Sequence, residues 1–75
     1  MKKKQFFKEL QKIFEIKKKI NEEMLLSDIN FDSLRVLEMI SLQEMYFQKL
    51  NIKPSNYNQC KKIKDLIKLF KIQND

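Results

Sequence analysis

Apolar residues recur three and four positions apart near the start of the chain. Phe6, Phe7, Leu10, Ile13 and Phe14 fall on one helical stripe, and the lysines around them fall mostly off it. The spacing predicts a first helix over residues 3–16. Ile16 and Ile20 flank Lys17-Lys18-Lys19 at its exit, where cations suit the negative end of the helix dipole. Residues 21–31 lose the periodicity and read as a long loop. Such a loop is uncommon in a small domain unless its apolar residues pack beneath it, and Met24, Leu26, Ile29 and Phe31 are available to do so. The main helix is predicted over residues 33–50, with Asp32 as a good N-cap. Val36, Met39, Ile40, Tyr46, Phe47 and Leu50 form its broad apolar face; Leu34, Leu37, Leu42 and Met45 fall outside it. A helix that is apolar on more than one side is either deeply buried or presents a binding surface. Pro54 suits the first position of a short third helix that runs through residues 55–60. Ile63, Leu66, Ile67 and Phe70 mark a last helix over residues 63–72. The expected fold is all-α: a small four-helix bundle, with a long first loop and a short third helix, in a single domain over residues 1–75.

Composition narrows the chemistry. A chain of 75 residues makes one small domain with a modest core, in which burying the main helix on every side is hard, so some of its second apolar set is expected to be exposed. It has no histidine and one cysteine, which argues against a zinc site, histidine-based catalysis and any internal disulfide. Cys60 has no activating partner in the sequence and reads as a part-buried or idle thiol that suits a reducing compartment. Uninterrupted apolar runs reach only three residues, as at Met24–Leu26, so no membrane insertion is expected. Met-Lys-Lys-Lys resembles the start of a leader, but Lys8, Glu9 and Lys12 interrupt the apolar stretch that a leader needs next, and the expected location is cytoplasmic.

Net charge is +6, and it is unevenly spread. Residues 1–20 hold eight lysines against two glutamates. Residues 21–50 hold Glu22, Glu23, Asp28, Asp32, Glu38 and Glu44 against Arg35 and Lys49. Residues 51–75 hold six lysines against two aspartates. The middle is therefore acidic and the ends are basic. The chain also lacks Gly and Ala and is rich in Lys, Asn, Ile and Phe, a bias that genome composition can produce by itself.

Residues Asp28-Ile29-Asn30-Phe31-Asp32-Ser33-Leu34 lie inside the acidic middle. They set a serine at the start of the main helix, where open backbone N–H groups and the dipole favour a phosphate ester. The stretch resembles the attachment site of acyl carrier proteins, whose pattern is roughly Asp-Leu-Gly-x-Asp-Ser-Leu. Ile29 replaces Leu and keeps an apolar anchor. Asn30 replaces Gly and, after Gly, is among the residues that best tolerate a left-handed backbone. The resemblance runs from about Phe6 to Phe70 and includes the length of the first loop. It extends to Ile40, Glu44 and Phe47, to Ile52-Lys53-Pro54, and to Lys62-Ile63-Lys64-Asp65-Leu66, where the family has Thr-Val-x-Asp-Leu. Lys62 stands in place of the capping Thr.

What the resemblance implies is specific. Ser33 carries a covalent 4′-phosphopantetheine arm taken from coenzyme A by a phosphopantetheinyl transferase with magnesium, and Asp32 caps the helix and helps position that reaction. The chain is then not an enzyme. It is a monomeric carrier of acyl or aminoacyl thioesters, exchanging them with synthases, ligases or acyltransferases. Leu34, Arg35, Leu37, Glu38, Glu44 and Met45 recognise those enzymes, and Phe31 and Ile40 are placed to shelter an acyl chain. Arg35 and Met45 replace common family acids, and the whole chain is basic where most of the family is acidic. These departures point to specialised fatty-acid, polyketide or surface-glycan acylation rather than housekeeping lipid metabolism.

Ser33 is also readable as a plain helix-start serine; the seven-residue match, the loop before it and the chain length favour the carrier reading. The alternatives from other classes are a small basic helical nucleic-acid or membrane-surface binder, resting on the lysine clusters, and a protein-interaction module using Leu42 and Met45. Phe6, Phe7 and Phe14 sit among lysines, but at helical spacing they read as core rather than as base-stacking platforms, and no nucleic-acid partner is expected.

Overall fold

The computed structural model describes residues 1–74. Helix α1 spans Lys3–Phe14, and its stripe is buried at Phe6, Leu10 and Phe14, each four residues apart. It stops two residues before the expected end because Glu15 takes a left-handed backbone, φ 56°. The amides of Glu15 and Ile16 then turn back to the carbonyls of Lys12 (3.4 Å) and Gln11 (3.0 Å), a Schellman closure made without glycine.

The segment expected as a loop carries a short 3-10 turn, Leu26–Ile29, with both end residues buried. It is stitched to the start of the last helix. The Leu26 amide donates to the Lys61 carbonyl (2.9 Å), and the amides of Ile63 and Lys64 donate to Met24 (3.0 Å) and Glu22 (3.0 Å). Glu23 adds ion pairs to Lys62 (2.9 Å) and Lys64 (3.3 Å). The loop's backbone groups are thus satisfied by a partner distant in sequence.

Helix α2 spans Ser33–Tyr46, four residues shorter than the expected 33–50. Phe47 leaves helical geometry and packs edge-on against Phe70, with ring centroids 5.0 Å apart. The Gln43 side chain donates to the Leu50 carbonyl (3.1 Å) and accepts from the Tyr57 hydroxyl (3.1 Å), fixing the turn after the helix. The buried face of α2 also differs from expectation. Leu42 belongs to the core beside Met39, whereas Tyr46 is about half exposed at the last turn. Residues three apart are neighbours on a helix, so burying Met39 carries Leu42 inward with it.

Pro54–Asn58 forms the short helix α3, opened by proline as expected. Helix α4 spans Ile63–Leu69 rather than 63–72. Asp65 supplies the cap that Lys62 does not: its carboxylate accepts from the amides of Lys61 (2.8 Å) and Lys62 (3.0 Å). Lys71, at φ 53°, closes the helix as Glu15 closes α1, and the amides of Lys71 and Ile72 reach back to Lys68 and Ile67.

Phe70 is the hub of the core. Its ring lies 5.4 Å from that of Phe6 and 6.0 Å from that of Tyr57, besides Phe47, so one side chain joins both chain ends, the end of α2, and α3. The amide of Lys3 donates to the Gln73 carbonyl (2.9 Å) beside it. The described residues form a small, mostly helical domain with four α-helices and no strand. Its radius of gyration, 11.2 Å, is that of a well-packed domain of this length.

Candidate functional site

The backbone before Ser33 is tightly built. Asn30 adopts the left-handed conformation, φ 56°, that its residue type tolerates. The Phe31 amide then reaches the Leu26 carbonyl (3.3 Å), the Asp32 amide reaches the Asn30 carbonyl (2.9 Å), and the Phe31 ring packs 5.8 Å from that of Phe14. The chain is thereby held against α1 just before it enters α2. Asp32 caps the helix, with its Oδ1 accepting from the Arg35 amide at 3.1 Å. Ser33 is the first helical residue and is exposed. The positive end of the α2 dipole lies at its hydroxyl.

Ser33 opens onto a cleft of about 780 Å³ between α2, α3 and the 3-10 turn. Phe31, Val36 and Ile40 form one side, and Leu25, Tyr57 and Cys60 the other. Burial pushes the Tyr57 hydroxyl up to about 12, with the neighbouring Cys60 adding to the rise. Burial likewise pushes the Cys60 thiol up to about 11, helped by the Asp65 charge, and its Sγ lies 3.6 Å from the Asn56 carbonyl. Both groups stay protonated near neutrality and already donate, Tyr57 to Gln43 and Cys60 to Asn56, so this wall presents apolar surface rather than a thiolate nucleophile. Among the described residues no group of three or more His, Cys, Asp or Glu could hold a metal ion.

The other expected site residues fall into two sets. Leu34, Leu37 and Met45 are 59%, 60% and 66% exposed and share the outer face of α2 with exposed Glu44. Leu37 also borders the cleft. Arg35 is different. Its guanidinium reaches Glu38 (3.0 Å) on its own helix and Glu15 (3.5 Å) at the end of α1, and its side chain is mostly covered. It ties two helices together beneath Ser33, and Glu38 is half committed to it.

Leu25, Tyr57 and Cys60 were not expected at the site. They arrive there through the pairing of residues 24–26 with 61–63, which leaves no local signature in the sequence. Among the described residues, no helix is long and apolar enough to cross a membrane. No protein-family model, curated protein or solved structure matches the chain.

Proposed function

We propose that this chain is a carrier protein whose Ser33 bears a 4′-phosphopantetheine arm, and that its four helices form a bundle of acyl-carrier type. The observation that carries the reading is the setting of Ser33. It is an exposed serine at the first position of a 14-residue helix, behind left-handed Asn30 and capping Asp32, at the mouth of an apolar cleft. That setting fits a phosphodiester: the first-turn amides and the dipole favour its charge, and the hydroxyl is open to a transferase.

In the loading step, the Ser33 hydroxyl gives up its proton to a base on the transferase and bonds to the β-phosphorus of coenzyme A. The phosphorus–oxygen bond to the 3′,5′-ADP portion breaks, and that portion leaves. The arm, once attached, supplies a thiol that holds an acyl or aminoacyl group as a thioester. The chain's own residues hold and present. Asp32 fixes the start of α2, Arg35 locks it to α1, and Phe31, Val36 and Ile40 offer apolar cover to a cargo folded back into the cleft. Leu34, Leu37 and Met45, with Glu38 and Glu44 beside them, form the surface offered to partner enzymes. The acids contribute mainly to encounter rate. A partner that meets this surface reads three exposed apolar side chains more than a field of charge, consistent with a specialised pathway.

The test is co-expression with a broad-specificity phosphopantetheinyl transferase and intact-mass measurement. The wild type is expected to gain one phosphopantetheine, and Ser33→Ala, folded to the same extent, none. A folded wild type that gains nothing from several transferases refutes the carrier reading.

A further inference from the structure

We propose that the outer face of α1 is an electrostatic docking surface for anionic lipid headgroups. Lys4, Lys8 and Lys12 stand four residues apart on this helix, so they form a row with about 6 Å between steps. Together with Lys2, Gln5 and Glu9 they line one shallow depression of about 690 Å³. One acid lies in it, Glu9, 3.8 Å from the Lys12 ammonium, so the four lysines and this acid leave a net charge of +3. Beyond the helix, exposed Lys17, Lys18 and Lys19 extend the same charge, their loop fixed by a hydrogen bond from Gln11 Nε2 to the Lys18 carbonyl (2.9 Å).

The chemistry of the patch favours a lipid surface over a nucleic acid. Its cations are all lysines, point charges without the planar fork that makes arginine the residue of choice for nucleic-acid recognition. The chain's one arginine is spent on Glu15 and Glu38. Phe6 and Phe14 are buried in the core, so α1 offers neither of them for base stacking. For the same reason α1 does not insert into lipid: its apolar stripe already faces the protein, and attraction acts at headgroup level. The acids Asp28, Asp32 and Glu44 lie exposed on the turn and on α2. A negatively charged surface attracts α1 and repels these, so it binds the chain with the outer face of α2 turned to water.

The proposal does not rest on the carrier reading, and its test uses the unmodified full chain. Co-sedimentation is measured with phosphatidylcholine vesicles, with and without about 30 mol% phosphatidylglycerol, at low salt and at roughly 300 mM salt. Binding is expected only to the anionic vesicles, is lost at the higher salt, and is the same for Ser33→Ala. Changing Lys2, Lys8 and Lys12 together to Gln is expected to weaken it on the order of a hundredfold at low salt. Changing Lys49, Lys53 and Lys61, exposed lysines off α1, should weaken it far less. Both triple variants are first checked for unchanged helical circular dichroism. Absence of binding, equal loss in the two triples, or preference for duplex DNA over anionic vesicles at equal phosphate overturns the proposal.

Discussion

Leu42→Ala and Leu37→Ala form a pair that tests how α2 is seated. Leu42 is 4% exposed beside Met39, whereas Leu37 stands mostly in solvent on the opposite side of the helix. Truncating Leu42 removes three buried carbons, worth roughly 2.4 kcal/mol in transfer alone, and the residual cavity brings the loss to about 3 kcal/mol. A domain of 75 residues has a total stability of only about 4–11 kcal/mol. The variant therefore loses a large share of it, and its melting temperature falls by roughly 12–24 °C. Leu37→Ala should stay within about 0.5 kcal/mol of wild type. Urea unfolding followed by circular dichroism gives both values, and an unchanged slope with denaturant confirms that stability alone has moved. If Leu37→Ala loses as much as Leu42→Ala, the face assigned to the core is wrong. The outer face assigned to partners then fails with it.

Lys71→Gly should raise stability by roughly 0.5 kcal/mol, because glycine relieves the left-handed strain by more than it loosens the unfolded chain; thermal melts read the sign. Asp65, whose carboxyl the Lys61 and Lys62 amides hold below the usual range, contributes stability that is present above the unfolded carboxylate pKa. That contribution disappears as pH falls through the lower folded value, so urea titrations across this range should show a smaller acid loss in Asp65→Asn. At pH 8, Cys60, with its thiol pushed up to about 11, should react with a disulfide reagent on the order of 100-fold more slowly than in the unfolded chain. An equal rate in the two states would mean that the thiol is not buried.

Where a feature is local, its residues announce it. The stripe Phe6-Leu10-Phe14, the Asp32 cap, the left-handed tolerance of Asn30 and the opening of α3 at Pro54 all depend on neighbours within a few positions, and each is present. The end of α2 depends instead on Phe70, twenty-three residues beyond Phe47, and on the Tyr57–Gln43–Leu50 hydrogen bonds. The ends of α1 and α4 are hidden for another reason. In a chain without glycine, Glu15 and Lys71 take left-handed positions that their residue types do not advertise. At the site, Ser33 and Asp32 were legible because their geometry is that of one helix start. The far wall of the cleft and the Arg35–Glu15 ion pair join separate elements, and no spacing encodes them.

The Phe70 hub bears on when the chain can fold. During synthesis α1 is made first, yet the ring that packs against Phe6 belongs to a residue sixty-four positions later in the chain. Until then Phe6, Phe47 and Tyr57 lack their common partner, and the first helix has no complete core on which to settle. Folding therefore waits until Phe70 has left the ribosome. A product cut short before Phe70 should remain open to proteases, and only chains that carry this residue pass into the folded pool.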